Sequence, residues 1–299
     1  GTVKAAGPKT DGLHSVAEVP KKPVKDLLPS VVLVALWDPK TNSIRNVGSG
    51  FIADKKQGLV VTAGHILFEM EEGRQFGTPY FGLKNAKVVI GLIPEDKAQN
   101  NDNRASFRYF AEIVADDIHS MDACVLRITT RFERDLDDVS LVGEQPEKFV
   151  ELHEEHLPIL KMTRRFELEE SVRILGFNQA GEGWLKQGSH VNRSADFAKG
   201  YICKQFKLND DHSESDSDDS SSSGGGFSPR EEVVCVIPTI PGHSGGPCVN
   251  EEGRVVGILS RADPVDRQRC YLVPSSELKI LLNKAKKTTS RVAGLKLTY

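Results

Sequence analysis

Three short motifs carry side chains able to do chemistry together. Val61-Thr62-Ala63-Gly64-His65 is an apolar run ending on a histidine, and Met121-Asp122-Ala123-Cys124-Val125-Leu126 sets an aspartate at the head of another. Pro241-Gly242-His243-Ser244-Gly245-Gly246-Pro247 places a serine inside a glycine-rich turn. Glycines on both sides of Ser244 let the backbone bend sharply and approach a ligand closely. Such a turn can aim the backbone N–H groups of Gly242 and Ser244 at one point, where they would hold a developing oxyanion. A Gly-x-Ser-Gly-Gly-Pro run arises by chance about once in several thousand chains of this length. Taken singly, a histidine at a strand end is more often structural, an aspartate before a strand is usually a cap, and such a turn is usually only a turn. Together they form a set with the parts of nucleophilic catalysis.

Positioning that set requires several elements. Short β-rich runs precede and include the first two motifs: Val31 to Trp37, Val47 to Ala53, Leu59 to Ala63, Ala86 to Leu92, Phe107 to Ala115 and Ala123 to Ile128. Gly, Asn, Asp and Lys clusters separate them, the pattern of an all-β barrel or sandwich. Residues 131–170 are charged, with apolar residues at uneven spacing, and are expected to form a partly helical connection. A second series follows at Val172 to Phe177, Gly183 to Gly188, Gly200 to Leu208, Val233 to Pro238, Gly246 to Val249, Arg254 to Ser260 and Arg269 to Val273. Ser275 or Ser276 is expected to cap a helix carrying Leu278, Leu281 and Leu282, with lysines near its end. Residues 1–29 read as a polar tail, 30–130 as a first barrel, 171–287 as a second barrel with its helix, and 288–299 as a tail. Asn209 to Ser228 is acidic, Ser-rich and Gly-rich and reads as a disordered surface loop.

Composition removes several other classes. Among 299 residues, 39 basic and 42 acidic side chains give a formal charge of −3. Without a basic surplus or stripe, nucleic acid is not expected as a partner. The longest apolar runs are strand-sized, too short for a membrane span. The five cysteines (Cys124, Cys203, Cys235, Cys248, Cys270) have no CxxC spacing and mostly sit in apolar contexts, so an intracellular, reducing setting is expected. His153-Glu154-Glu155-His156 has its histidines three apart, which is not the i, i+4 geometry of a helical zinc motif. No metal and no cofactor is expected.

On these residues the sequence resembles the trypsin-like (chymotrypsin-fold) serine proteases, most closely their HtrA-type branch, with no PDZ-like domain expected in this chain. The resemblance runs from roughly Pro29 to Leu282. It includes Ser30-Val31-Val32, Gly48-Ser49-Gly50-Phe51-Ile52, Gly176-Phe177 and Gly253-Arg254-Val255-Val256-Gly257-Ile258, and the order His, Asp, Ser matches. It implies two packed six-stranded antiparallel β-barrels with a C-terminal helix. It also implies a serine endopeptidase acting on protein or peptide substrates through an acyl-enzyme, with His65, Asp122 and Ser244 as the triad. Gly242 and Ser244 would form the oxyanion hole. Pro238, Ser260, Arg261, Ala262 and Cys270 fall at substrate-binding positions.

The sequence also departs from that pattern. His243 stands where digestive-type members carry Asp and HtrA-type members usually carry Asn. The position matching the pocket base, near Pro238, is not acidic, so a preference for Lys or Arg before the cut is not expected, and a small or apolar residue is. The acidic loop falls where HtrA-type enzymes carry a sensor loop, so phosphorylation of Ser213, Ser215 or Ser217 is one reading of it and an inert solvated insertion the other. Two further readings stay open: a scaffolding protein that keeps the fold without turnover, and an esterase or acyltransferase using the same triad. The oligomeric state is not legible.

Overall fold

The structure is a computed structural model that describes residues 20–68, 86–118, 121–163, 165–180, 191–207 and 231–296. Its strands are β1 (Val31–Asp38), β2 (Ser43–Asp54), β3 (Leu59–Thr62), β4 (Lys87–Leu92), β5 (Ser106–Asp116), β6 (Cys124–Leu136), β7 (Glu147–Phe149), β8 (Ser171–Phe177), β9 (Ala195–Lys207), β10 (Glu231–Val236), β11 (Pro247–Asn250), β12 (Val255–Ala262) and β13 (Arg269–Pro274). Helix α1 spans Glu95–Gln99 and α2 spans Ser275–Lys296.

The first sheet runs β3-β2-β1-β4-β5-β6-β7, and a further β3–β6 pairing closes its first six strands into a ring. The second is a closed six-stranded barrel, β10-β13-β12-β11-β8-β9. Every pairing between strands is antiparallel. The expected pair of six-stranded barrels is present, with β7 added to the edge of the first.

Strand β1 explains how the layers form. All eight of its residues are buried, and successive side chains point to opposite faces. Val32, Val34 and Leu36 enter a cluster made only of first-barrel residues and their flanking segment. Val31, Leu33, Ala35 and Trp37 enter a larger cluster shared with Leu175, Phe177, Val249, Ile258 and the α2 residues Leu278, Leu281 and Leu282. The second barrel keeps its own cluster, including Ile174, Ile202, Val233, Val256 and Leu272. The barrels therefore share one apolar seam.

Several boundaries differ from the expectation. Leu27 and Leu28, in the supposed tail, are buried, and the Lys22 N–H donates to the Glu251 carbonyl at 2.8 Å. Strand β6 continues into the supposed connection as far as Leu136, burying Phe132 and Leu136. The helical content there is a 3-10 turn at Val139–Glu144, with no α-helix among the described residues 131–163. Helix α2 runs beyond residue 287 to Lys296. The Ser275 hydroxyl donates to the Thr163 carbonyl and that of Ser276 to Glu231, so both hold the helix to the barrels rather than cap it. The acidic segment 209–228, the expected strand at 183–188 and the first nineteen residues lie outside the described residues. Among the described residues no helix is long and apolar enough to cross a membrane.

Candidate active site

Sheet register brings the first two motifs together. Thr62, the last residue of β3, pairs with Cys124, the first residue of β6. In an antiparallel pair, the chain just after one strand lies beside the chain just before the other. His65 follows Thr62 and Asp122 precedes Cys124, so both emerge at the same end. The His65 ring Nδ1 lies 2.6 Å from Asp122 Oδ2, and the His65 backbone N–H donates to Asp122 Oδ1 at 2.8 Å. Gly64 allows this approach, because a Cβ there would lie 2.6 Å from Ile118 Cγ2 and 3.3 Å from Asp122 Oδ1.

Asp122 is 5% exposed and receives a third bond from the second barrel, where Ser260 Oγ of β12 donates to Oδ2 at 2.9 Å. Burial alone would raise the Asp122 pKa, but the charge of His65 and the hydrogen bonds from His65 and Ser260 hold the carboxyl below its ordinary value. For His65, burial pushes toward the neutral ring, yet the charge and hydrogen bond of Asp122 prevail and raise the pKa above 6.5. The ring keeps one edge open, with 28% of the side chain exposed.

The glycine-rich turn docks against the same place. Gly242 has φ +90° and Gly245 φ +77°, values that favour glycine. The Ser49 N–H of β2 donates to the Ser244 carbonyl at 2.8 Å, and the Gly245 N–H donates to the Leu259 carbonyl at 2.8 Å. A Cβ on Gly245 would lie 2.3 Å from the Ser49 carbonyl oxygen, 2.5 Å from Thr62 Oγ1 and 2.6 Å from the Ala63 nitrogen. The turn therefore rests on the chain two residues before His65. The bond from His65 to Asp122 is made, whereas none joins His65 to Ser244. Among the described residues the N–H groups of Gly242 and Ser244 have no protein acceptor.

The remaining expected residues divide. Pro238, Arg261 and Ala262 are exposed, and Arg261 and Ala262 directly follow Ser260. Arg261 lies over the Tyr271 ring, 4.2 Å from its centroid, and pairs with Glu232. Ser260 faces Asp122 instead of open solvent. Cys270 is a correction: it is 0% exposed in the second barrel's core, so it offers no surface to a substrate. Its register partner is Cys235, and strand alternation turns both inward.

Sequence reasoning missed two side chains. Ser49, 0% exposed, donates through Oγ to the Gly242 carbonyl at 2.7 Å and accepts from the Phe177 N–H at 2.9 Å. Asp196 places Oδ1 2.5 Å from Nε2 of the buried His243. Among the described residues no group of three or more His, Cys, Asp or Glu could hold a metal ion, and His153 lies exposed in a turn.

Residues 48–258 match the sequence profile of the trypsin-like peptidase domain. No protein of curated function matches the chain. Among solved structures, the Rv3671c protease of M. tuberculosis in its active form is similar at 16% identity and a TM-score of 0.53, covering 95% of this chain and 94% of its own. A serine-to-alanine mutant of Rv3671c from M. tuberculosis H37Rv, in inactive form, is similar at 17% identity and a TM-score of 0.50, covering 96% of this chain and 98% of its own. At these identities the likeness is one of fold.

Proposed function

The chain belongs to the trypsin-like peptidase family, and on that premise we propose that it is a serine endopeptidase working through Ser244, His65 and Asp122. The observation that carries this reading is the His65 ring held through Nδ1 by a buried aspartate, beside the turn that bears Ser244. With Nδ1–H given to Asp122, Nε2 is left as the proton acceptor. Ser244 Oγ attacks the scissile carbonyl carbon while its proton passes to His65 Nε2. The C=O π bond opens, and the Gly242 and Ser244 N–H groups receive the resulting oxyanion. His65 then returns the proton to the leaving amine as the C–N bond breaks, leaving an acyl-enzyme. Water, deprotonated by the same ring, releases the acid and restores Ser244.

The open His65–Ser244 bond fits this scheme, because such bonds are often long in the unliganded enzyme and tighten with substrate. Each oxyanion donor is worth roughly 3–4 kcal/mol of transition-state stabilisation. Arg261 and Ala262, following Ser260, are assigned to the substrate backbone, with a small or apolar side chain before the cut.

The test is labelling with an active-site-directed fluorophosphonate, followed by cleavage of casein and of a peptide library. Wild type should take up one label per chain and cut peptides, and Ser244→Ala should do neither. Wild type that stays unlabelled would return the protein to a scaffolding role. Labelling with ester turnover but no peptide cleavage would make it an esterase.

A further inference from the structure

We propose that Asp196 and His243 form an internal positioning pair that holds the oxyanion turn in its working shape; this rests on the reading of Gly242 and Ser244 as the oxyanion donors. His243 is the residue between those two donors, so its backbone angles, together with those of Gly242, set the angle between their N–H vectors. Its side chain is 1% exposed, and its Nε2 lies 2.5 Å from Asp196 Oδ1. Asp196 is fixed from its other oxygen by Asn178 Nδ2, which donates to Oδ2 at 3.0 Å.

The β8–β9 ladder is shaped for this contact. Gly176 of β8 pairs directly with Asp196 of β9. A Cβ on Gly176 would lie 2.8 Å from His243 Cδ2 and 2.9 Å from His243 Cα. One strand thus leaves bare backbone where the imidazole lies, and its neighbour supplies the carboxylate that binds the ring. Burial would raise the Asp196 pKa, but hydrogen bonds from His243 and Asn178 hold it below the ordinary value, so it is an ionised acceptor and Nε2 carries the proton.

The rest of the turn is pinned through its backbone. The His243 N–H donates to the Ile240 carbonyl, the Gly246 N–H to the His243 carbonyl and the Gln179 N–H to the Pro241 carbonyl. Those bonds leave the imidazole as the one side-chain anchor of the residue joining the two donors.

The experiment compares wild type, Asp196→Ala, His243→Asn and the double variant, with kcat divided by the sites titrated with fluorophosphonate. That division removes misfolded molecules, which a purely structural role would produce without slowing the remainder. Each single variant should lose about 10–100-fold in kcat, part of what one oxyanion donor contributes, with KM held within about 3-fold. The double variant should lose no more than about 3-fold beyond the worse single one, because the two act as a unit. Asp196→Ala turning over within about 2-fold of wild type per titrated site, or losses that multiply in the double variant, would overturn the pair alone. Wild type that takes up no label would overturn the serine reading and the pair with it.

Discussion

Ser49→Ala is the substitution whose consequences the structure specifies most fully. The Ser49 hydroxyl bridges the barrels, donating to the Gly242 carbonyl at 2.7 Å while accepting from the Phe177 N–H at 2.9 Å. Ser49, Gly242 and Phe177 are all buried. Removing one oxygen atom leaves too little room for a water to replace it. Two buried backbone groups then lose a partner, at about 1–3 kcal/mol each, or about 2–6 kcal/mol together. For a domain of this size that is a fall of about 5–15 °C in Tm. The Gly242 carbonyl also loses the donor that fixes its orientation, so kcat should fall about 10-fold, short of the 100–1000-fold that a whole oxyanion donor is worth. Differential scanning fluorimetry and kcat per titrated site read the two effects separately. A Tm within about 1 °C of wild type would show that the hydroxyl is replaceable and refute the accounting.

Three other outcomes follow from the geometry. Gly176→Ala should cut kcat by about 10-fold or more, because the added Cβ lies too near the His243 Cα for side-chain rotation to relieve; unchanged steady-state kinetics would contradict this. The proposed base, His65, must be neutral to accept a proton, and Asp122 raises its pKa, so the acid limb of kcat/KM against pH should fall above the ordinary histidine value. Asp122→Asn should move that limb to lower pH and cost about 10,000-fold in turnover, and a limb that stays in place would show another group titrating. Four of the five free cysteines are buried and Cys203 is partly so. Ellman's reagent should therefore reach at most one thiol in the native protein and all five in denaturant, and three fast thiols before unfolding would contradict the packing.

What the sequence made legible was local. Both barrels followed from apolar runs whose alternate residues face different cores, and His65 and Asp122 followed from standing at the ends of two such runs. The continuation of β6 was hidden because Arg131 precedes Phe132 and Glu133, Arg134 and Asp135 separate it from Leu136, and bulges between β5 and β6 disrupt the two-residue period. Arg131 is held there by Glu155, and Asp135 by Arg108, partners distant in sequence. Ser49 bonds a carbonyl 193 residues away and Asp196 an imidazole 47 residues away, so neither role leaves a trace in its own segment. Cys270 was misassigned for a related reason: strand alternation says that one face is buried, but register decides which one.

The contacts that build the site are also contacts between barrels. Ser260 of the second barrel bonds Asp122 of the first, while Ser49 of the first bonds Ser244, Gly242 and Phe177 of the second. All but the half-buried Ser244 are buried, so parting the barrels would strip polar atoms of partners while exposing the apolar seam that runs from β1 to α2. Either cost alone disfavours a state with one barrel folded and the other loose. The protein should therefore unfold in a single cooperative transition, with calorimetric and van't Hoff enthalpies in agreement and activity lost over the same interval. Two resolved transitions, with label uptake surviving the first, would mean that one barrel holds the catalytic geometry unaided, and the coupling argued from these serines would be wrong.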